Sequence, residues 1–190
     1  MRIILASNSP RRRELMEKAG LEIEVIPAEC EEAVPYGAAP SDVVRALARQ
    51  KAKWVAENKA GDGADILVIG ADTVVAVDDV ILGKPKDRED AFSMLKALSG
   101  KEHCVYTGVA IILPGREESF VSATRVKFYD LTDNEIYEYI DTKEPYDKAG
   151  SYGIQGKGGL LVESISGDYN NVVGLPIAEL MRRLKGVRGL

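Results

Sequence analysis

Apolar positions along the chain follow two periodicities. Short continuous or alternating apolar runs predict strands, and apolar residues three or four positions apart predict amphipathic helices. The predicted strands are Ile3–Leu5, Leu21–Pro27, Ile66–Ile69, Val74–Val77, Val80–Leu82, Cys104–Leu113, Ser119–Tyr129 and Leu160–Ile165. The predicted helices are Arg11–Ala19, a segment capped by Ser41 that reaches about Asn58, Asp87–Leu98, a segment opened by the capping box of Thr132 and Glu135, and a last helix that starts at Pro176.

Turns and loops between these elements complete the predicted architecture. Asp78-Asp79 predicts a hairpin, and Pro114-Gly115 joins two long strands as an antiparallel pair. The segments Cys30–Pro40 and Glu144–Gly159 are predicted loops. No repeat, linker or low-complexity tract divides the 190 residues. The sequence therefore predicts a single α/β domain over residues 1–190, a mixed sheet with flanking helices, bent into two lobes around a cleft.

Composition excludes several classes of function. The net charge of −5 argues against a nucleic-acid polymer or a membrane surface as partner. Cys30 and Cys104 form no CxxC motif, so neither a disulfide framework nor a zinc site is indicated. His103 is the only histidine, which excludes a His-pair metal site. No apolar run approaches membrane-spanning length and no signal peptide precedes the first strand, so we expect a cytoplasmic protein.

A hydroxyl-rich turn followed by arginines lies after the first strand. Ser7 and Ser9 are in the turn, and Pro10 suits the first position of a helix. Arg11 and Arg12 follow, so backbone N–H groups, the helix dipole and guanidinium donors would converge on an anion. The chain has no P-loop motif. The two interpretations are a phosphate site and a solvated basic helix start.

Two charged residues lie in mainly apolar surroundings. Asp72 follows the strand Ile66–Ile69 after two small residues, where open α/β sheets place their ligands, although a turn or cap role would also explain it. Lys51 shares the apolar face of the second helix with Leu47 and Val55. Its ammonium group must therefore either extend to solvent or meet an anion.

Three further polar residues lie in predicted turns and loops. Lys84 is a point charge suited to phosphate, or else a solvated lysine. Glu32 adds an acidic group in the first long loop. Gln155 is surrounded by four glycines, and its amide carries both a donor and an acceptor that suit the edge of a nucleobase. The alternative for Gln155 is a place in a glycine-rich crossing loop.

A metal-dependent reaction at phosphate would use all of these groups together. Mg²⁺ or Mn²⁺ takes oxygen ligands, commonly from one or two carboxylates, and leaves the other positions to water and phosphate. Asp72 and Glu32 are the candidate ligands. The arginines and lysines would offset the charge of a triphosphate, and a carboxylate would orient or deprotonate the attacking water.

Seven ordered motifs resemble those of the Maf proteins, nucleoside triphosphate pyrophosphatases also named for inhibition of septum formation. The resemblance runs from Leu5 to Leu184, and the order of its motifs makes it specific where any one motif would be weak. The motifs are Leu5–Arg12, Gly70–Thr73, Gly83–Pro85, Leu98–Gly100, Asp147–Gly150, Tyr152–Gly156 and Val173–Pro176.

The resemblance implies a fold, a reaction and a set of site residues. The fold is a mixed α/β fold similar to that of inosine triphosphate pyrophosphatases, with a cleft between two lobes. The reaction is hydrolysis of a nucleoside triphosphate between its α and β phosphates, with a divalent metal cation such as Mg²⁺ or Mn²⁺. Asp72 is the implied proton acceptor. The implied active-site contacts are Ser7, Arg12, Glu32, Lys51, Lys84 and Gln155.

Three positions differ between branches of the family, and in this chain they are Arg11, Thr73 and Gln155. This set resembles the branch that acts on dTTP and UTP. The residues leave open whether modified pyrimidine triphosphates are also substrates and whether the protein forms a homodimer. The alternative is a nucleotide-binding regulator of cell division with little turnover. A pure binder of polyphosphate gains nothing from a carboxylate near the anion unless metal or water chemistry is involved, so Asp72 favours the enzyme.

Overall fold

The fold is described by a computed structural model that covers residues 1–34, 37–59, 65–78, 80–185 and 187. The strands are β1 (Arg2–Leu5), β2 (Ile23–Val25), β3 (Ile66–Val77), β4 (Val80–Leu82), β5 (Glu102–Leu113), β6 (Arg116–Phe128) and β7 (Val162–Ser166). The α-helices are α1 (Pro10–Lys18), α2 (Pro40–Asn58), α3 (Arg88–Leu98), α4 (Asp133–Asp141), α5 (Tyr169–Val173) and α6 (Ile177–Leu184). Short 3₁₀ helices occupy Glu144–Asp147, Ala149–Ser151 and Lys157–Leu161.

The strands within these ranges form one mixed sheet of order β2-β1-β3-β5-β6-β7, with β4 paired to β3. β1 runs parallel to both β2 and β3, with Ile3 opposite Ile23 and Leu67. β4 runs antiparallel to β3, and β7 antiparallel to β6. The predicted mixed α/β fold with flanking helices is therefore confirmed.

The chain divides into two compact units. The first contains Met1–Asp72, Thr107–Ser122 and Gly174–Leu190, and the second contains Thr73–Tyr106 and Ala123–Val173. This division agrees with the two predicted lobes, whereas the bend of the sheet, the cleft and the single domain over residues 1–190 stay predictions.

In the first unit the core packs α2 against β1 and β3; its members include Ile4, Ala6, Ala48, Ala52, Val55 and Val68. In the second unit the core lies among α3, α4 and the adjoining strands; its members include Leu95, Leu98, Phe128, Ile136 and Ile140.

β3 corrects the prediction that its first strand ends at Ile69. Gly70–Thr73 continue the strand to Val77, and the second half pairs with β4. Gly70 serves close packing, since a Cβ there would overlap the Ala48 carbonyl oxygen and lie 2.9 Å from the Ala52 Cβ. Asp72 therefore extends from the middle of a strand.

Other element boundaries also differ from the prediction. α2 begins at Pro40, and its N-cap is Ala39 without a side-chain bond, so Ser41 is not the cap. The capping box of Thr132 and Glu135 at α4 is confirmed. Leu160 lies in a 3₁₀ helix and is 80% exposed, so β7 begins two residues later than predicted. Helix α5 was not predicted. Among the described residues, no helix has the length and apolar character needed to cross a membrane.

Candidate active site

The turn between β1 and α1 places a hydroxyl group beside a guanidinium group. Ser7 Oγ accepts hydrogen bonds from the Ser9 backbone N–H at 3.2 Å and from Arg12 Nη1 at 2.9 Å. These bonds use both lone pairs of the oxygen, which leaves the Ser7 hydroxyl hydrogen for a ligand. α1 has no acidic residue in its first turn, so the positive end of its dipole is not offset locally.

Arg12 is held from a second side by the backbone near the end of the chain. Its Nε donates to the Gly174 carbonyl oxygen at 2.9 Å. This bond gives the motif Val173–Pro176 a structural role that the sequence did not reveal. Loss of solvation lowers the pKa of Arg12 and Arg11 acts in the same direction, whereas Asp72 raises it. Arginine stays charged despite such shifts, so a cationic group lies within electrostatic reach of Asp72.

Lys51 connects the two acidic candidates. From α2, its Nζ lies 2.5 Å from Asp72 Oδ1 and 2.8 Å from Glu32 Oε1. The side chains of Lys51 and Asp72 are 17% and 14% exposed, and that of Glu32 is 52% exposed. Burial lowers the pKa of Lys51, but the charge of Asp72 and the hydrogen bonds to both carboxylates outweigh it, so this pKa is raised overall. Lys51 therefore meets carboxylates, and contact of its ammonium group with phosphate stays a prediction.

Gln50, next to Lys51 on α2, holds the backbone beside Glu32. Its Nε2 donates to the Ala33 carbonyl oxygen at 2.7 Å, and its Oε1 accepts from the Ala33 N–H at 3.1 Å. The two bonds place the adjoining Glu32 within reach of Lys51. Gln50 was not predicted as part of the site, because a single half-buried glutamine on a helix carries no signal of its own in the sequence.

The donor set of Asp72 and Glu32 fits a divalent cation. Both carboxylates already share one cation, the Lys51 ammonium group. Mg²⁺ and Mn²⁺ commonly need only one or two protein carboxylates when phosphate and water complete the shell. Larger groups of three or more His, Cys, Asp and Glu side chains suited to a metal do not occur in the described part of the chain.

The remaining predicted site residues belong to the second unit. Lys84 is exposed, and its turn is fixed by the Gly150 N–H, which donates to the Gly83 carbonyl oxygen at 3.0 Å. Gln155 is exposed, so its amide is open to solvent. Thr73 directly follows Asp72 on β3. That Lys84, Thr73 and Gln155 act together with Asp72 stays a prediction.

The sequence matches one family profile over nearly its whole length. The profile is described as Maf-like protein and matches residues 2–187. A solved structure, the nucleoside-triphosphatase / dITP/XTP pyrophosphatase from Mycobacterium abscessus, aligns over 100% of this chain and 99% of that chain. Its sequence identity of 16% and TM-score of 0.47 are too low to support a conclusion.

Curated relatives are much more similar. The dTTP/UTP pyrophosphatase of Bacillus cereus is 53% identical over 184 residues, which cover 97% of this chain and 94% of the relative. The dTTP/UTP pyrophosphatase of Bacillus anthracis is 54% identical with the same coverage. The profile and these relatives agree with the ordered motifs of the sequence, and the chain belongs to the family of Maf-like proteins.

Proposed function

We propose that this chain is a nucleoside triphosphate pyrophosphatase that hydrolyses dTTP and UTP to the nucleoside monophosphate and pyrophosphate. The observation that carries the proposal is the contact of one ammonium group, that of Lys51, with both Asp72 and Glu32. This contact brings a candidate proton acceptor, Asp72, and two candidate metal ligands, Asp72 and Glu32, to one ammonium group. The same unit contains the candidate phosphate-binding turn at Ser7 and Arg12. The names of relatives at 53% and 54% identity support the same reaction class.

The contacts of Ser7, Arg12 and Lys51 support the following roles. The Ser7 hydroxyl and the Arg12 guanidinium group bind phosphate oxygens. Lys51 orients Asp72, whose free carboxylate oxygen then accepts a proton from the attacking water. A cation held by Asp72 and Glu32 would offset triphosphate charge and acidify a bound water.

The residues of the second unit complete the proposal. Lys84 supplies a further positive charge for the phosphates, because its ammonium group is exposed and its turn is fixed through Gly83. Gln155 contacts the base, and Arg11 and Thr73 set the preference for pyrimidine triphosphates. A cytoplasmic location fits these substrates and belongs to the proposal.

Product analysis tests the proposal directly. The protein is incubated with dTTP, UTP, CTP and 7-methyl-GTP in Mg²⁺, in Mn²⁺ and in EDTA, and pyrophosphate, phosphate and mononucleotides are quantified. We expect pyrophosphate and the monophosphate in equal amounts, fastest from dTTP and UTP, and only with a divalent cation. Tight binding of dTTP without turnover in any metal would favour the alternative, a nucleotide-binding regulator of cell division.

A further inference from the structure

The segment that carries Gln155 is held by a carboxylate that has no role so far. Glu144 begins the 3₁₀ helix Glu144–Asp147 in the same unit, and its Oε1 accepts from the Lys157 backbone N–H at 3.2 Å. The other oxygen, Oε2, is closed to solvent and has no hydrogen-bond partner among the described residues. A buried carboxylate oxygen without a partner costs stability, so stability alone does not account for Glu144.

Gly156, between Gln155 and Lys157, packs directly against this carboxylate. A Cβ at Gly156 would overlap Glu144 Oε2 and lie 2.8 Å from Glu144 Cδ. The backbone φ of Gly156 is −99°, so space and not backbone conformation requires glycine here. A larger side chain would displace the carboxylate from the Lys157 N–H. The Glu144 carboxylate and the missing side chain of Gly156, the residue that follows Gln155, therefore occupy complementary space.

The segment is also fixed on the other side of Gln155. The Gly153 N–H donates to the Tyr139 Oη at 3.2 Å, and Tyr139 is only 4% exposed. Lys148 Nζ donates to the Glu144 carbonyl oxygen at 2.6 Å, and its aliphatic stem lies where a Cβ on Gly153 would be. Gln155 is thus an exposed side chain on a backbone that is held before and after it.

Base discrimination needs such a fixed backbone. Uracil and thymine present a carbonyl acceptor beside a ring N–H donor, whereas cytosine presents an amino donor beside a ring nitrogen acceptor. A glutamine amide carries one group of each kind and can match either edge by turning over. A backbone held before and after Gln155 limits the positions that the amide can take relative to the base, and so favours one of the two edges.

We propose that Glu144 is a positioning residue for base recognition: its carboxylate holds Gly156 and Lys157 so that Gln155 selects uracil and thymine over cytosine. This inference rests on the proposed function, in which Gln155 contacts the base. Glu144 itself does not touch the substrate.

The test compares kcat/KM for UTP and CTP in the wild type and in three variants. Glu144→Ala removes the carboxylate, and Glu144→Gln keeps an acceptor for the Lys157 N–H. Glu163→Ala removes an exposed carboxylate of β7 in the same unit and is the matched control. We expect the UTP-to-CTP ratio to fall roughly tenfold in Glu144→Ala and to be largely kept in Glu144→Gln. Equal losses on both substrates, with the ratio unchanged, would show a merely structural role and overturn the proposal.

A second variant keeps the proposal testable if Glu144→Ala does not fold. Gly156→Ala should lower the same ratio in the wild-type background, because its Cβ displaces the carboxylate. It should add little in the Glu144→Ala background, because the overlapping group is gone. Additive losses would contradict the fit of the two residues.

The activity of the wild type separates the two levels of the argument. If it releases no pyrophosphate from UTP, the proposed function fails and the inference fails with it. If it is active but does not discriminate UTP from CTP, or if neither Glu144→Ala nor Gly156→Ala changes the ratio, only the positioning role is overturned.

Discussion

Replacing Lys51 by methionine removes the cation shared by Asp72 and Glu32 while an apolar stem stays on α2. Both carboxylates are within hydrogen-bond distance of one nitrogen atom, so without it their charges face each other across about 5 Å. At that separation two unit charges repel by about 1 kcal/mol in water and about 3 kcal/mol at the effective dielectric constant of a protein surface. Asp72 is 14% exposed and Glu32 52%, so the environment lies between these limits. We therefore expect Lys51→Met to lower the free energy of unfolding by about 1 to 3 kcal/mol at neutral pH.

A divalent cation should reverse this loss, because it would bind both carboxylates in place of the ammonium group. Added Mg²⁺ or Mn²⁺ should stabilise Lys51→Met more than the wild type. Alkaline pH offers a second comparison. The folded-state pKa of Lys51 is raised above its ordinary 10.5, so its ion pairs stabilise the wild type below pH 10.5. That stability is lost as the pH rises through the folded-state pKa, and Lys51→Met should lack this loss.

Denaturant unfolding of both proteins, with EDTA and with Mg²⁺, measures the effect. Lys53→Met is the matched control, since Lys53 is 44% exposed on the same helix and pairs with Glu117 at 3.1 Å. The control should differ from the wild type by less than about 1 kcal/mol. The reasoning is refuted if Lys51→Met is as stable as the wild type in EDTA, or if Mg²⁺ stabilises both proteins equally.

Three other substitutions test separate parts of the structure. His103 is 3% exposed, its Nε2 lies 2.8 Å from Tyr152 Oη, and burial lowers its pKa to about 4. His103 takes up a proton near pH 6.5 in the unfolded chain but not in the folded chain. The free energy of unfolding of the wild type should therefore fall by up to about 3 kcal/mol between pH 6.5 and 4, relative to that of His103→Leu. Parallel curves of unfolding free energy against pH would exclude this. Gly70→Ala should lower the free energy of unfolding by about 1 to 3 kcal/mol and should lower kcat, because its Cβ pushes α2 and Lys51 away from β3. An unchanged melting temperature would contradict the close packing. Gln155→Glu should lower kcat/KM for dTTP and UTP, by an amount equal to about 1 to 3 kcal/mol of transition-state stabilisation, and should lower kcat/KM for 7-methyl-GTP much less. A uniform loss on all three substrates would mean that Gln155 shapes the segment without contacting the base.

Local sequence signals predicted most of the fold. The apolar runs of β1 and β4 and the capping box of α4 each lie within short segments, and the structure has them where the pattern placed them. The prediction was wrong where tertiary packing decides. The apolar run was predicted to end at Ile69, yet β3 continues through Gly70, which lies against the backbone of α2.

The candidate site was predictable in its charged residues and not in their supports. An inward-facing lysine must meet an anion or reach solvent, which singled out Lys51, but the sequence did not predict its contact with Asp72 and Glu32. Gln50 and the Gly174 carbonyl oxygen, which hold the Glu32 loop and Arg12, were missed. Their roles arise from hydrogen bonds between a side chain and the backbone of another segment, and a backbone partner leaves no pattern in residue type.

Turnover of dTTP by Asp72→Asn tests most directly whether Asp72 accepts the proton of the attacking water. Pyrophosphate release at saturating Mg²⁺ is measured together with the affinity for dTTP by calorimetry, and Asp65→Asn, at a side chain 78% exposed, is the control. The account predicts that Asp72→Asn loses roughly 100-fold or more in kcat while dTTP binding is largely kept, because the amide retains the shape of the carboxylate but accepts no proton. Near wild-type turnover of Asp72→Asn would contradict it.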